Sequence, residues 1–188
     1  MDCNYHLEVC SVFDYLKGHS GNDRLSGGNG DDRLKGGTGD DKLYGGSGVD
    51  ELLGESGDDY LKGHSGNDTL WGGTGKDWLR GGEDNHKLYG ESSSDRLYGE
   101  DGDDLVRGDE GDDELYGGSG NEFFQITKSA VRDVFSDYDN ETNSVELIDE
   151  LKESDLTCSY VGVDKQIKYE NDLMAIIQNT IAEDFTFI

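Results

Sequence analysis

Ten aspartates stand in one nine-residue phase: Asp23, Asp32, Asp41, Asp50, Asp59, Asp68, Asp77, Asp95, Asp104 and Asp113. Carboxylate oxygens are hard donors, and a row of them suits a hard cation better than bond making. The groups that would argue for catalysis are missing. The histidines are His6, His19, His64 and His86, with no His-Glu-x-x-His spacing. There is no G-x-S-x-G elbow and no G-x-x-x-x-G-K-[ST] loop. The expectation is a chain that binds and does not catalyse.

Each aspartate is position 6 of a unit G-G-x-G-x-D-x-L-x, repeated twelve times without insertion from Gly18 to Gln125. Position 1 is always Gly, and position 4 is Gly except at Asp84 and Ser93. Position 2 is looser, with His19, Glu55, His64, Glu91, Glu100 and Asp109. Position 6 departs at His86 and Glu122, and position 8 is Leu except at Val106 and Phe124. Dense Gly marks turns with positive φ or backbones too close for a Cβ. The x-L-x segment reads as a three-residue strand with one side chain inward, and the preceding six residues as a turn. Two units then make one turn of a right-handed parallel coil, an all-β roll with strands in two facing sheets. Six such turns at a spacing of ~4.8 Å give a rod about 25–30 Å long. Stacked leucines make a narrow core, Gly-rich chain loses much entropy on ordering, and 43 acidic against 16 basic residues repel one another. Such a coil needs bound cations to close.

The units resemble the calcium-binding nonapeptide of RTX proteins, and Gly27–Lys35 and Gly36–Tyr44 are the cleanest copies. Calcium takes six to eight oxygens and mixes carboxylates with carbonyls. The resemblance implies ions between turns, each held by two aspartates 18 residues apart. The pairs are Asp23/Asp41, Asp32/Asp50, Asp41/Asp59, Asp50/Asp68, Asp59/Asp77, Asp77/Asp95 and Asp95/Asp113, with Asp14 extending the row to Asp32. It also implies carbonyls of positions 2 and 4 from one unit, and of positions 1 and 3 from the unit two further on. One site would use Gly28, Gly30, Asp32, Gly45, Ser47 and Asp50. Over the early units the carbonyls are those of Gly18, Gly21, Gly27, Asn29, Gly36, Gly37, Thr38, Gly39, Gly46 and Gly48. In the middle they are Gly54, Ser56, Gly57, Gly63, Ser65, Gly66, Gly72, Gly73, Thr74 and Gly75. Later they are Gly90, Ser92, Gly99, Asp101, Gly102, Gly108, Glu110 and Gly111. The implied load is roughly seven to nine ions. His86 and Glu122 should weaken their sites, and the unit 81–89, with Asp84 and His86, should be a local defect.

Three segments result: a capping turn 1–17, the roll 18–125 and a β-rich cap 126–188. Val9, Val12 and Phe13 could cover the first rung. In the cap, 131–138 and 145–148 read as strands about a β connection at 139–143, 149–156 as a short helix, and 158–163, 166–169 and 173–178 as strands. Asp137-x-Asp139-x-Glu141 fails the EF-hand spacing. The cap resembles the end of type I-secreted RTX proteins, and Glu183-Asp184-Phe185-Thr186-Phe187-Ile188 its acidic-then-hydrophobic signal. That implies an extracellular calcium-triggered module using the type I secretion machinery. Met1–His6 shows no Sec-type leader, no apolar run of about 18 residues exists, and the net charge of -27 opposes nucleic acid. Cys3, Cys10 and Cys158 read as small buried or capping thiols, with a bridge as the alternative.

Nine of the ten Lys and Arg in the repeats occupy positions 7 or 9, the outward strand positions. One outer face should carry Arg24, Lys42, Lys62, Arg80 and Arg96 beside Tyr44, Tyr60, Trp78, Tyr98 and Tyr116. Such a face suits an anionic polysaccharide, with Tyr44, Tyr60, Trp78, Arg80 and Tyr98 as candidate contacts; plain coverage of the strands is the simpler reading. Two other functions stay open: an accessory module of a secreted protease, lipase or polysaccharide-modifying enzyme, and a free-standing glycan-binding or adhesive protein.

Overall fold

A computed structural model of the chain describes residues 6–8, 12–127, 133–136, 143–148, 156–161, 164–169 and 172–177. The leading strands are β1 (His6–Glu8), β2 (Tyr15–Ser20), β3 (Arg24–Asn29), β4 (Arg33–Thr38), β5 (Lys42–Ser47), β6 (Glu51–Ser56) and β7 (Tyr60–Ser65). Next come β8 (Thr69–Thr74), β9 (Trp78–Glu83), β10 (Lys87–Ser92), β11 (Arg96–Asp101), β12 (Leu105–Glu110), β13 (Glu114–Ser119) and β14 (Phe123–Ile126). The rest are β15 (Asp133–Phe135), β16 (Ser144–Leu147), β17 (Leu156–Val161), β18 (Asp164–Tyr169) and β19 (Asp172–Ile177).

From β1 to β16, odd strands stack in parallel in one sheet and even strands in the other, so each unit crosses from one sheet to the next. The strands are longer than x-L-x. From β2 to β13 they have six residues, positions 7 through 3, and only positions 4 to 6 turn. The reason is that position 2 takes a positive φ without leaving the ladder: Gly37 pairs with Glu55, and Thr38 with Ser56. All eight non-glycine residues at positions 2 and 4 take φ between 70° and 88°: His19, Glu55, His64, Asp84, Glu91, Ser93, Glu100 and Asp109. Those positions therefore demand a left-handed backbone, and glycine is the cheapest way to meet it.

Position 8 points inward at every turn. In one sheet Leu16, Leu34, Leu52, Leu70, Leu88, Val106, Phe124 and Val145 stack in register. In the other, Leu25 to Leu115 do so and end on Phe135. All are buried, and the Phe124 and Phe135 rings meet at 4.8 Å where the core widens toward its end.

Further expectations need correction. Strands β15 and β16 do not pair with each other: β15 joins β13 and β16 joins β14, both in parallel, so they extend the coil by one turn. Val12 and Phe13 do not cover the first rung; they are 83% and 71% exposed, because residue 12 sits at a turn tip where its carbonyl accepts from Asp31 N. Leu7 of β1 packs there instead. The unit 81–89 is not a defect, since β10 pairs fully with β8 and β12. In the cap, β17, β18 and β19 form an antiparallel run that joins the roll through β15, with β18 starting at Asp164, where a turn was expected. The proposed helix 149–156 lies outside the described residues except for Leu156, which opens β17. Residues 183–188, Val9, Cys3 and Cys10 also lie outside them, as does the Cys158 side chain.

Candidate metal centre

The position-6 aspartates form two files, one along each edge of the roll. Asp14, Asp32, Asp50, Asp68 and Asp104 follow one edge, with His86 among them; Asp23, Asp41, Asp59, Asp77, Asp95 and Asp113 follow the other. Each aspartate from Asp32 to Asp113 uses Oδ1 in the same way, accepting from the backbone N–H of the file residue 18 earlier. Asp32 N to Asp50 Oδ1 is 2.8 Å, Asp41 N to Asp59 Oδ1 is 2.7 Å and Asp95 N to Asp113 Oδ1 is 2.8 Å. Position 5 makes the mirror contact, reaching forward: Asp31 Oδ1 accepts from Val49 N at 2.8 Å and Asp58 Oδ1 from Lys76 N at 2.8 Å. The role of Asn22, Asp31, Asp40, Asp58, Asn67, Asn85 and Asp103 was missed, although all share position 5 and all are Asn or Asp.

The second oxygen is the informative one. In Asp32, Asp41, Asp50, Asp59, Asp68, Asp77, Asp95, Asp104 and Asp113, Oδ2 is buried and has no hydrogen-bond partner. Native proteins rarely leave a buried acceptor unsatisfied, and never cheaply a charged one. These oxygens fold back against position 1. A Cβ on Gly54 would lie 2.4 Å from Asp59 Oδ2 and 2.4 Å from the carbonyl oxygen of Gly72, one turn on. No position-1 glycine has a positive φ, so Gly is required there for space alone.

Backbone oxygens also make contacts between successive turns. The position-2 and position-4 carbonyls reach forward: Cβ atoms on Gly46 and Gly48 would meet Gly28 O at 2.0 Å and Gly30 O at 2.4 Å. The position-3 carbonyls face back, Ser47 O accepting from Gly30 N at 2.7 Å. Of the set expected for one ion, Gly28, Gly30, Asp32, Ser47 and Asp50 make their contacts between successive turns. Among the described residues no three His, Cys, Asp or Glu side chains gather at one point. A cation held here takes much of its shell from carbonyls, which is calcium's habit and not that of a thiolate- or imidazole-seeking metal.

Without a cation, burial disfavours the carboxylate form. It pushes Asp41, Asp50 and Asp77 up to about 6, Asp59, Asp68 and Asp104 up to about 7, and Asp95 up to about 9. Like charges in adjacent turns add to the rise, and the backbone N–H on Oδ1 opposes it.

The family model of the RTX calcium-binding nonapeptide repeat (4 copies) matches residues 17–52, 26–61, 53–85 and 89–121. The chain belongs to this family. No curated protein matches it. As an RTX repeat chain it is a calcium-binding β-roll module, and such a roll is structural and not catalytic by itself. The matches break at 86–88, within the one RTX unit whose position 6 is histidine. There Asp68 N lies 3.3 Å from His86 Nδ1, and His86 N donates to Asp104 Oδ1 at 2.7 Å. The ring nitrogen takes the place of Oδ1, which keeps the ladder intact. Its Cδ2 lies against Gly81, where other units put Oδ2. His86 preserves the fold but offers no oxygen there.

Two residues outside the RTX matches extend the files. Glu122 N donates to Asn143 Oδ1 at 3.1 Å, and Ser144 N to Glu122 O at 2.8 Å. Val134 N donates to Asp113 O at 2.8 Å, which sets Asp133 beside Asp113. Asp133 is fully buried, and burial first, the Asp113 charge second, hold it well above the usual carboxylate range. No glycine announces either residue.

The aromatic residues of the odd-strand face do come together. Tyr44, Tyr60, Trp78, Tyr98 and Tyr116 form one chain of ring contacts at 5.9, 6.0, 6.1 and 4.5 Å. The face is less cationic than its lysines and arginines suggest. Arg80 is bonded to Glu100 (Nε to Oε1, 2.8 Å), Arg96 to Glu114 at 2.8 Å, and the Arg24 guanidinium lies 4.3 Å from the Tyr44 ring centre.

Proposed function

We propose that this protein is an extracellular module that folds when it meets calcium and so supports type I secretion. The row of buried, unpartnered Oδ2 atoms carries the reading. It describes a chain whose closed form needs a hard cation in each gap. The proposed ligands are the eleven position-6 aspartates, Asp14 among them, with the carbonyls of positions 1 to 4, for roughly seven to nine ions. Each ion would supply the positive charge that two buried carboxylates need. A chain of this kind stays open where calcium is scarce and closes where it is abundant. The acidic, then hydrophobic, tail 183–188 fits export through the type I machinery.

Far-UV circular dichroism during a calcium titration tests this, with magnesium as control. A cooperative gain of β signal in calcium but not magnesium is expected. A chain already folded in chelator would sink the switch.

A second reading rests on the ring chain from Tyr44 to Tyr116. Rings spaced along a flat sheet suit stacking of sugar rings, with Arg80 and its neighbours meeting carboxylates. Retention of the calcium-loaded protein on an anionic polysaccharide, reduced by Trp78→Ala and Tyr60→Ala, is the expected result; equal elution of all three proteins would dismiss it.

A further inference from the structure

The two edges of the roll end differently where the repeats give way to the cap. On the even-strand edge the file runs Asp104, Glu122, Asn143. Asn143 accepts from the preceding turn as an aspartate would, but brings no charge. On the odd-strand edge the file runs Asp95, Asp113, Asp133. Glu114 pairs with Val134 and Leu115 with Phe135, so Asp133 holds the place of a position-6 aspartate one turn beyond the last repeat. Spacing hides it, because 20 residues separate it from Asp113 instead of 18.

Both carboxyls are sealed from water, Asp113 at 1% exposure and Asp133 at 0%. Oδ2 of Asp113 and both oxygens of Asp133 make no well-formed hydrogen bond. Two carboxylates enclosed side by side are strongly destabilising unless a counter-charge joins them. No lysine or arginine forms an ion pair with either among the described residues.

We propose that Asp113 and Asp133 form one further calcium site, outside the matched repeats, which fastens the cap to the roll. This rests on the reading that the roll holds calcium between its turns. The position gives the site a distinct task. Asp133 opens β15, whose other neighbour is β19, with Asp133 paired to Ala175 and Phe135 to Ile177. Strands β18 and β17 follow from β19. An ion here would stand at the single strand that joins the antiparallel run to the coil. Calcium would then order the cap as well as the repeats.

The test counts bound calcium by native mass spectrometry on the full chain, wild type against Asp133→Asn, with hydrogen exchange followed in saturating calcium. The amide variant keeps the shape and an acceptor oxygen, as Asn143 does on the other edge. One ion fewer is expected, with exchange about tenfold faster or more in β15 and β19 and unchanged in β3 to β9. Asp113→Asn, which would border two gaps, should lose two ions. An unchanged count with unchanged protection in Asp133→Asn overturns the site and leaves a proton shared by the two carboxyls. A wild-type chain that binds no calcium at all overturns this site and the calcium reading together.

Discussion

At the scale of single residues, glycine has two separate tasks in this chain, and they predict opposite responses to substitution. Position 1 needs space. In Gly54→Ala the new Cβ would meet Asp59 Oδ2 and Gly72 O, both at 2.4 Å. Overpacking of this kind costs about 1–3 kcal/mol, and the backbone contact prevents easy relief. Position 2 needs a positive φ, and at Glu55 a side chain is already carried at 76°. Glu55→Gly should therefore change stability by less than about 1 kcal/mol, the worth of its exposed pair with Lys35. Calcium midpoints from circular dichroism compare the two: a clear rise for Gly54→Ala, almost none for Glu55→Gly. His86 supplies a second prediction. Because its Nδ1 already fills the Oδ1 place, His86→Asp should fit the ladder and add the missing oxygen donor. The expected outcome is at least one more bound ion by native mass spectrometry; the same count would mean that other groups already complete those gaps.

At the scale of strands and turns, the identical rungs make damage local. Leu70 lies between Leu52 and Leu88 and is fully buried. Leu70→Ala should cost about 2–5 kcal/mol, and a stacked array passes that cost mainly to its neighbours. Faster hydrogen exchange is expected in β6, β8 and β10, with β3 and β13 near wild type. Strand phase and the inward leucine ladder were legible because Leu recurs every nine residues. Strand length was not: Gly, Ser, Thr and Glu at positions 1 to 3 read as turn residues, yet a left-handed residue at position 2 keeps the ladder. The two edge files were legible from Asp alone. Asp133 and Asn143 were hidden, since the turns leading to them run 20 and 21 residues and no glycine stands in the nine residues before either. The defect expected at 81–89 failed for a chemical reason, an imidazole nitrogen accepting in place of a carboxylate oxygen.

At the scale of the whole molecule, the raised aspartates set how pH and calcium act together. Their folded pKa lies above the unfolded value, so in chelator their contribution is complete below about pH 4 and is lost as pH rises through about 6 to 9. The chelated chain should show more β signal near pH 5 than near pH 8. Calcium reverses the slope, since the ion competes with the proton for the same oxygens and its affinity should climb across that window. Circular dichroism at both pH values, with and without calcium, checks both slopes; equal signal in chelator at pH 5 and 8 would contradict the first. The stacking also has a mechanical consequence. Each roll turn is bonded only to the turns before and after it, 18 residues away. A load drawn along the rod would meet one clamped rung at a time, and each release would free roughly 60 Å of slack chain. The roll would then yield as a ratchet of near-equal steps, its grip set by the ambient calcium.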